Sequence, residues 1–506
     1  MLACSPLRFA RPKLSAVFGR STSTAPPRAS RARLSARSKY LLFASGGAEG
    51  RSKGTLYPSL FRSYIVFTLC SIPPIVDHAP EILSGLSYVP GIRQITEYFI
   101  KQSFFAQFVG GETVNDTIPI LSQLRDEGKG VLLAYSVEVN DARIPASTDD
   151  IAHRRNLLEI SRSIESAGDF EDGRISKGSS KGKTWVAVKL TALLPSAESL
   201  RRFSTYLCQT RPKERLALPY PYTPHADDMA VLSLETVPSP LTQDDVIAIK
   251  TLYEELRGIC SRARERKVAV VIDAEHSWCS AIDALTLALT REFNQPSAGT
   301  SEPLVYGTYQ SYLRRGIDHL RTSLSDARKE GYILGVKLVR GAYHTLEIST
   351  HAKGMRDGAG NEVEVPPVWT QRSETDATYN TSCDAVLNGL VHRGLAVRRE
   401  TEGGVRIYVT REVADRVSFG QLMGMRDGLT QYLADTVVTQ VPIVLKYVPY
   451  GSLQEVIPYL ARRAIENKSI LGGDEGAANE RRIVGAALRR RMFPFYDSIS
   501  PGSPAA

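Results

Sequence analysis

The sequence predicts an α/β protein, a distorted (β/α)8 TIM barrel preceded by an N-terminal helical extension. Two patterns carry that expectation. Across residues 126–475, short apolar runs of strand length alternate with amphipathic segments of helical period, the signature of a parallel sheet. The polar residues of those runs fall at their C-terminal ends, where such barrels carry their functional groups. No Gly-x-Gly-x-x-Gly follows a predicted strand, so any dinucleotide would bind at the barrel mouth and not on a Rossmann turn.

Taken in order, residues 1–48 hold nine basic side chains (Arg8, Arg11, Lys13, Arg20, Arg28, Arg31, Arg33, Arg37 and Lys39) and no acid. They equal the whole formal net charge of +9, so that charge is no footprint of nucleic acid, and no nucleic-acid partner is expected. A leader rich in Arg and Ser and free of acids predicts a disordered mitochondrial transit peptide. Residues 49–125 are expected to form a helical region, with apolar periodicity from Ile92 to Phe108. Within it Tyr64–Val76 is apolar but contains Pro73 and Pro74 and is far shorter than a membrane span; a buried helix is the preferred reading over a membrane-surface contact.

The expected strands are Val131–Tyr135, Trp185–Leu190, Val268–Ile272, Leu304–Gln310, Ile333–Val339, Arg406–Val409, Phe419–Met423 and Pro442–Tyr447. Helical periodicity follows in Ala281–Phe293, Tyr312–Lys329, Ala377–Leu390 and Leu453–Glu466. Three stretches interrupt the alternation. Asp169–Lys183, rich in Gly, Ser and Lys, reads as a flexible surface loop; Arg211–Pro240 reads as an insertion, and His351–Pro367 as a break after the fifth strand. Residues 476–506 read as a C-terminal tail. The six cysteines contain no Cys-x-x-Cys pair and the eight histidines no His-x-x-x-His, so no metal site or disulfide scaffold is legible.

Lys189 closes the second strand, Asp273 and Glu275 the third, Gln310 the fourth, and Lys446 with Tyr447 the eighth. One such residue alone is more often a fold-stabilising ion pair; several at one mouth describe a pocket with placed polar groups. Lys337 and Arg340, three apart on the fifth strand, face opposite ways, one inward and one toward a phosphate near the strand end. Gly341 allows a backbone or flat ring to approach closely. Ser373–Asn380 opens a helix; its spacing fits ordinary capping better than a phosphate site. Ser452 is a suitable N-cap for the last barrel helix, expected to pack through Val456, Leu460 and Ile465. That helix presents Tyr459, Arg463 and Glu466 on one face with Arg462 beside them. Adjacent guanidiniums suit a carboxylate or phosphate, although an Arg462–Glu466 surface ion pair is the simpler reading of the spacing alone.

These motifs, in this order, resemble the proline dehydrogenase (proline oxidase) family, in its eukaryotic mitochondrial branch. The matching segments are Lys189-Leu-Thr-Ala192, Ile272-Asp-Ala-Glu275, Tyr309-Gln-Ser-Tyr-Leu313, Lys337-Leu-Val-Arg-Gly-Ala-Tyr343, Thr375-Asp376 with Tyr379-Asn380, Gln421-Leu-Met-Gly-Met425, and Lys446 to Asn467. The resemblance implies a barrel holding FAD and oxidation of L-proline to Δ1-pyrroline-5-carboxylate by hydride transfer to flavin N5. It also implies electron transfer to a quinone on the matrix side of the inner mitochondrial membrane, as the first step of proline catabolism to glutamate. By position, Arg462 and Arg463 would clamp the proline carboxylate, and Lys189, Asp273, Tyr447 and Glu466 would line the substrate site. Tyr343, Leu338 and Tyr459 would pack against its ring, while Gln310, Lys337, Arg340 and Thr375 would contact the flavin.

One segment departs from the family. After its sixth strand the family carries an Ala/Ser-Thr/Ser-His-Asn segment whose His meets the flavin, whereas this chain reads Val409-Thr-Arg-Glu412. Arg411 is therefore expected beside the flavin. A second reading, a non-catalytic barrel binding flavin or proline as sensor or scaffold, rests on Arg411 alone. A third, a flavin barrel of the folate-reducing type, is opposed by the Arg462–Arg463 pair.

Overall fold

The computed structural model describes residues 2–4, 57–78, 91–136, 149–179, 182–210, 223–278, 280–296, 302–351, 366–391, 396–401, 404–469 and 477–492. Its centre is a curled, mostly parallel sheet wrapped in helices, the α/β class that the alternation predicts. The strands, in chain order, are β1 (Leu2–Cys4), β2 (Gly130–Tyr135), β3 (Thr184–Val188), β4 (Val270–Ile272), β5 (Val305–Gln310) and β6 (Leu334–Val339). They continue with β7 (Ala396–Thr401), β8 (Gly404–Val409), β9 (Phe419–Leu422), β10 (Val437–Val438) and β11 (Val444–Tyr450). The main sheet runs β1-β6-β5-β4-β3-β2-β11-β9, so β11 returns beside β2 as a barrel requires. Every pairing in it is parallel except that of β1, which lies antiparallel on β6 with Leu2 opposite Val336.

The expected sixth strand does not belong to this sheet. Arg406–Val409 falls within β8, which pairs antiparallel with β7 and parallel with β10 in a separate three-stranded sheet. The physical reason is local: β7 and β8 adjoin in sequence and satisfy each other's backbone groups as a hairpin, with no need of the barrel edge. Leu2–Cys4 lies inside the stretch expected to be a disordered leader; the rest of residues 1–48 falls outside the described residues.

Asp169–Lys183 is likewise not a loop along its length, because the Asp149–Ser176 helix runs through its first half. Glu171 anchors that helix. Its carboxylate meets the buried Arg125 guanidinium and accepts from Thr184 Oγ1 at 2.6 Å and from Gly182 N at 2.9 Å. Burial lowers the Arg125 pKa, and Glu171 opposes that shift. The insertion expected at 211–240 contains a short 3-10 turn, Asp228–Ser233, among its described part; residues 352–365 lie outside the described residues.

The expected helical region is present as Tyr57–Cys70, Pro73–Asp77, a helix from Ile92 whose 101–105 turn is π-helical, and Val114–Asp126. Thr113 and Asp116 form a reciprocal capping box at the start of the last of these. Leu60, Val66, Phe67, Cys70 and Val76 are buried against Val456, Tyr459 and Leu460 of the Leu453–Ser469 helix. Tyr64–Val76 is thus largely the buried helix expected of it, with Tyr64, Ile72 and Ile75 left at the surface. The stretch expected as a tail contains a helix, Ala477–Met492, whose Val484, Ala487 and Leu488 complete the same cluster.

The Glu171 arrangement yields the first test. Glu171→Ala should leave the Arg125 charge buried and unpaired, lowering unfolding stability by about 3–5 kcal/mol in urea titrations. A loss under about 0.5 kcal/mol, the size of an ordinary surface change, would show that the pair carries no such weight.

Candidate active site

Side chains on a strand alternate between its two faces, and in this sheet that parity decides what reaches the interior. Val131, Leu133, Val186, Val188, Val270, Ile272 and Val305 point outward into the large core beneath the helices. The alternate set, Leu132, Ala134, Trp185, Ala187, Val271, Tyr306 and Leu445, forms an apolar cluster inside the sheet. The Trp185 and Tyr306 rings stack there with centroids 4.8 Å apart. Continuing the same parity toward the C-terminal ends brings Lys189, Asp273, Gln310, Lys337 and Tyr447 above that plug.

There the Lys337 ammonium pairs with the Asp273 carboxylate and lies 5.7 Å from the centroid of the Tyr447 ring. Asp273 is fixed from behind, since its backbone N–H donates to Val188 O at 2.9 Å. Gln310 Nε2 donates to the Glu275 carbonyl at 3.0 Å. The Glu275 carboxylate accepts from the Thr191 hydroxyl and, at 3.4 Å, from the Thr191 N–H. Burial pushes the Glu275 carboxyl up, against the pull of Thr191 and of the nearby Lys189 charge.

The Leu453–Ser469 helix reaches the mouth through Arg462, which lies over Tyr343. It begins after Gly451, whose φ of +149° suits glycine, and the Ser452 N–H donates to Glu455 Oε2 at 3.0 Å. Arg463 is buried; its Nη2 meets Glu466 Oε1 at 2.7 Å, and its guanidinium lies 4.8 Å from the Tyr459 ring centroid. The buried Arg463 Nε–H has no acceptor among the described residues. Arg462 lies 4.9 Å over the Tyr343 ring. Tyr343 gets there through Gly341, at φ +130°, where a Cβ would stand 2.4 Å from the Tyr312 ring.

Behind Tyr343 sits His276, with ring centroids 4.6 Å apart. Its Nδ1 is 3.7 Å from Glu347 Oε1, and Glu347 also accepts from Ser277 N at 2.8 Å and Ser277 Oγ at 2.6 Å. Burial by itself would raise the Glu347 carboxyl, but His276 and Ser277 together hold it below the usual range.

Several expectations need correction. Leu338 follows the parity rule outward and packs on the cluster of Leu320, Leu334 and Val336, on the face opposite Lys337. Arg411 is 69% exposed on the Arg411–Arg416 helix, 3.7 Å from Asp415; it is carried there because β8 lies outside the main sheet. Lys446 also points outward, where its ammonium binds Leu422 O, Met425 O and Asp427 and secures the turn after β9. Ile465 is 45% exposed, because the buried row is Val456, Leu460 and Ala464, at intervals of four. Glu466 is paired with Arg463, which lies on the same helix face three residues before it. Arg340, facing away from Lys337 as its spacing predicts, is paired with Asp376 at 2.5 Å and lies 4.5 Å over the Tyr379 ring. Thr375 is buried in the first turn of the Arg372–Val391 helix, and its hydroxyl has no partner among the described residues. His276, Ser277 and Glu347 were not anticipated; the polar run that continues past Glu275 was their one signal.

Fold and site together define an α/β-barrel protein with an arginine-lined, aromatic mouth at the strand ends. A family model described as proline dehydrogenase matches residues 122–473, and the chain belongs to that family of oxidoreductases. It is 30% identical over 461 residues to the hydroxyproline dehydrogenase of Bos taurus, covering 87% of this chain and 92% of that one. It is 28% identical over 455 residues to the mitochondrial proline dehydrogenase 1 of Dictyostelium discoideum, covering 86% and 73%. In fold it resembles the crystal structure of proline utilization A from Bdellovibrio bacteriovorus inactivated by N-propargylglycine, with a TM-score of 0.50 and 18% identity over 93% of this chain. The chain spans 41% of that structure's length.

The Arg463–Glu466 pair sets a second test. Glu466→Ala should lower unfolding stability by only about 1–2 kcal/mol, because Glu466 is 30% open to water and screening discounts the pair. Equal stability of variant and parent in thermal melts would mean that Arg463 is held by its packing on Tyr459 alone.

Proposed function

We propose that the chain oxidises L-proline to Δ1-pyrroline-5-carboxylate with FAD as electron acceptor. The observation that carries this reading is the pair of adjacent guanidiniums at the mouth, one buried with an unanswered N–H and one resting on an aromatic ring. A carboxylate bound between Arg462 and Arg463 would supply the missing acceptor through charge-assisted hydrogen bonds. Tyr343, Tyr447 and Tyr459 would then wall a five-membered ring and fix its orientation. Of the two carboxylates assigned to the substrate, Glu466 orders Arg463, which leaves Asp273, itself fixed by Lys337, to face the ring nitrogen. Lys189 adds a positive charge on the same side of the mouth.

The residues present fit a flavin. The buried Thr375 hydroxyl lacks a partner among the described residues, and Gln310 and Lys337 face the same mouth from adjacent strands. These three would hold the group, with Arg340 near its phosphates. When bound, FAD supplies the two-electron acceptor for the hydride leaving the ring. Arg411 is exposed on its own helix, 3.7 Å from Asp415, which speaks against a flavin contact there and so against a sensor or scaffold reading.

A mitochondrial location is supported by the basic leader and by the name of the Dictyostelium relative. Among the described residues no helix is long and apolar enough to cross a membrane. Peripheral attachment to the inner membrane, where a quinone acceptor dissolves, has support in the Ile92–Ile100 helix. Ile92, Ile95, Tyr98 and Phe99 are all exposed on it, with Arg93 and Glu97 on the other side.

The test is an anaerobic absorption spectrum of the purified protein before and after L-proline, with trans-4-hydroxy-L-proline in parallel. A flavin band bleached by L-proline supports the assignment. A band bleached by hydroxyproline alone would shift the substrate to that of the bovine relative, and protein without flavin would overturn the reading.

A further inference from the structure

Five side chains from four separate segments stack into one column that ends at the arginine pair. Arg201 lies 4.2 Å over the Trp278 ring, and Trp278 is parallel to His276 within 9° at 5.8 Å. His276 lies 4.6 Å from Tyr343, which carries Arg462 at 4.9 Å. We propose that His276 is a positioning residue: it holds the Tyr343 ring under the Arg462 guanidinium and so sets the affinity for the substrate carboxylate. This rests on the reading of Arg462 as a carboxylate ligand.

The geometry gives His276 two constraints that an ordinary packed ring lacks. Glu347 is buried, and a buried carboxylate is costly unless donors surround it. Its donors are Ser277 N and Oγ, with His276 Nδ1 beside them at 3.7 Å, so the anion fixes both the 276–277 backbone and the imidazole edge. The imidazole cannot turn off Tyr343 without leaving Glu347. Tyr343 itself stands two residues after Gly341, whose φ of +130° is open to few other residues, and its ring meets both His276 and Arg462. Arg462, on another element, then meets a fixed aromatic face, which lowers the cost of ordering its long side chain when an anion binds.

The test compares His276→Ala, His276→Phe and His276→Gln with the parent as full-length flavin-loaded enzymes. Three quantities are read: KM and kcat for L-proline, and the Kd of tetrahydrofuran-2-carboxylate, a ring carboxylate lacking the oxidisable amine, followed by flavin absorbance. Loss of the stack in His276→Ala should raise KM and Kd about tenfold while kcat stays within about threefold. His276→Phe, which keeps a flat ring, should recover most of that loss, whereas His276→Gln, which keeps polarity without a ring, should resemble His276→Ala. Parent-like Kd in His276→Ala, or a fall confined to kcat and melting temperature, would overturn the inference and leave the carboxylate reading intact. A parent enzyme that oxidises L-proline yet does not bind the analogue would overturn both.

Discussion

The two-residue alternation of the strands around the Trp185–Tyr306 plug is the constraint on which the rest depends. A barrel interior is a packed core, and only its C-terminal layer can hold polar groups in reach of a ligand. Because Trp185, Val271, Tyr306 and Leu445 fill the lower layer, Lys189, Asp273, Gln310, Lys337 and Tyr447 are lifted into that upper layer by parity alone. A slip of one residue in any of these strands would turn its polar residue out and an apolar one in. The stability of the sheet and the chemistry of the mouth are therefore one requirement on the sequence.

The second requirement is a rigid platform for the arginines. The Leu453–Ser469 helix rests on Leu60, Val66 and Phe67 from one end of the chain, and Val484 and Leu488 from the other complete the cluster. Arg463 is thereby buried at a cost that its contacts with Glu466 and Tyr459 offset only in part, since its Nε–H finds no acceptor among the described residues. Segments far from the mouth in sequence thus determine how well it is organised.

Much of this was legible in the sequence, and the failures share a cause. The barrel strands β2 to β6 and β11 could be read because each is a short apolar run, and their inward polar ends followed from period two. Arg463 and Glu466 followed from helical spacing in the same way. The sixth strand misled because a hairpin and a barrel strand look alike as isolated apolar runs; its partner in β7 decides, and pairing is not local. Arg411 was misplaced as a consequence. Leu338 was assigned by resemblance against its own parity, which places it outward beside Lys337's inward position. The helix through Asp169–Ser176 was hidden by Gly and Ser, whose low propensity is overridden by the tertiary anchor at Glu171. His276 stayed invisible because its significance lies in contacts with Tyr343 and Glu347, more than sixty residues away.

The central claim is that the paired arginines recognise a carboxylate on a pyrrolidine ring. Its most direct measurement is kcat/KM for L-proline and for pyrrolidine, which lacks only the carboxylate, in the parent and in Arg463→Ala. The account predicts that pyrrolidine is poorer by about 100- to 1,000-fold in the parent, the worth of two charge-assisted contacts. It also predicts that Arg463→Ala lowers the value for L-proline while changing that for pyrrolidine little. Equal use of both compounds, or equal loss for both in Arg463→Ala, would contradict it.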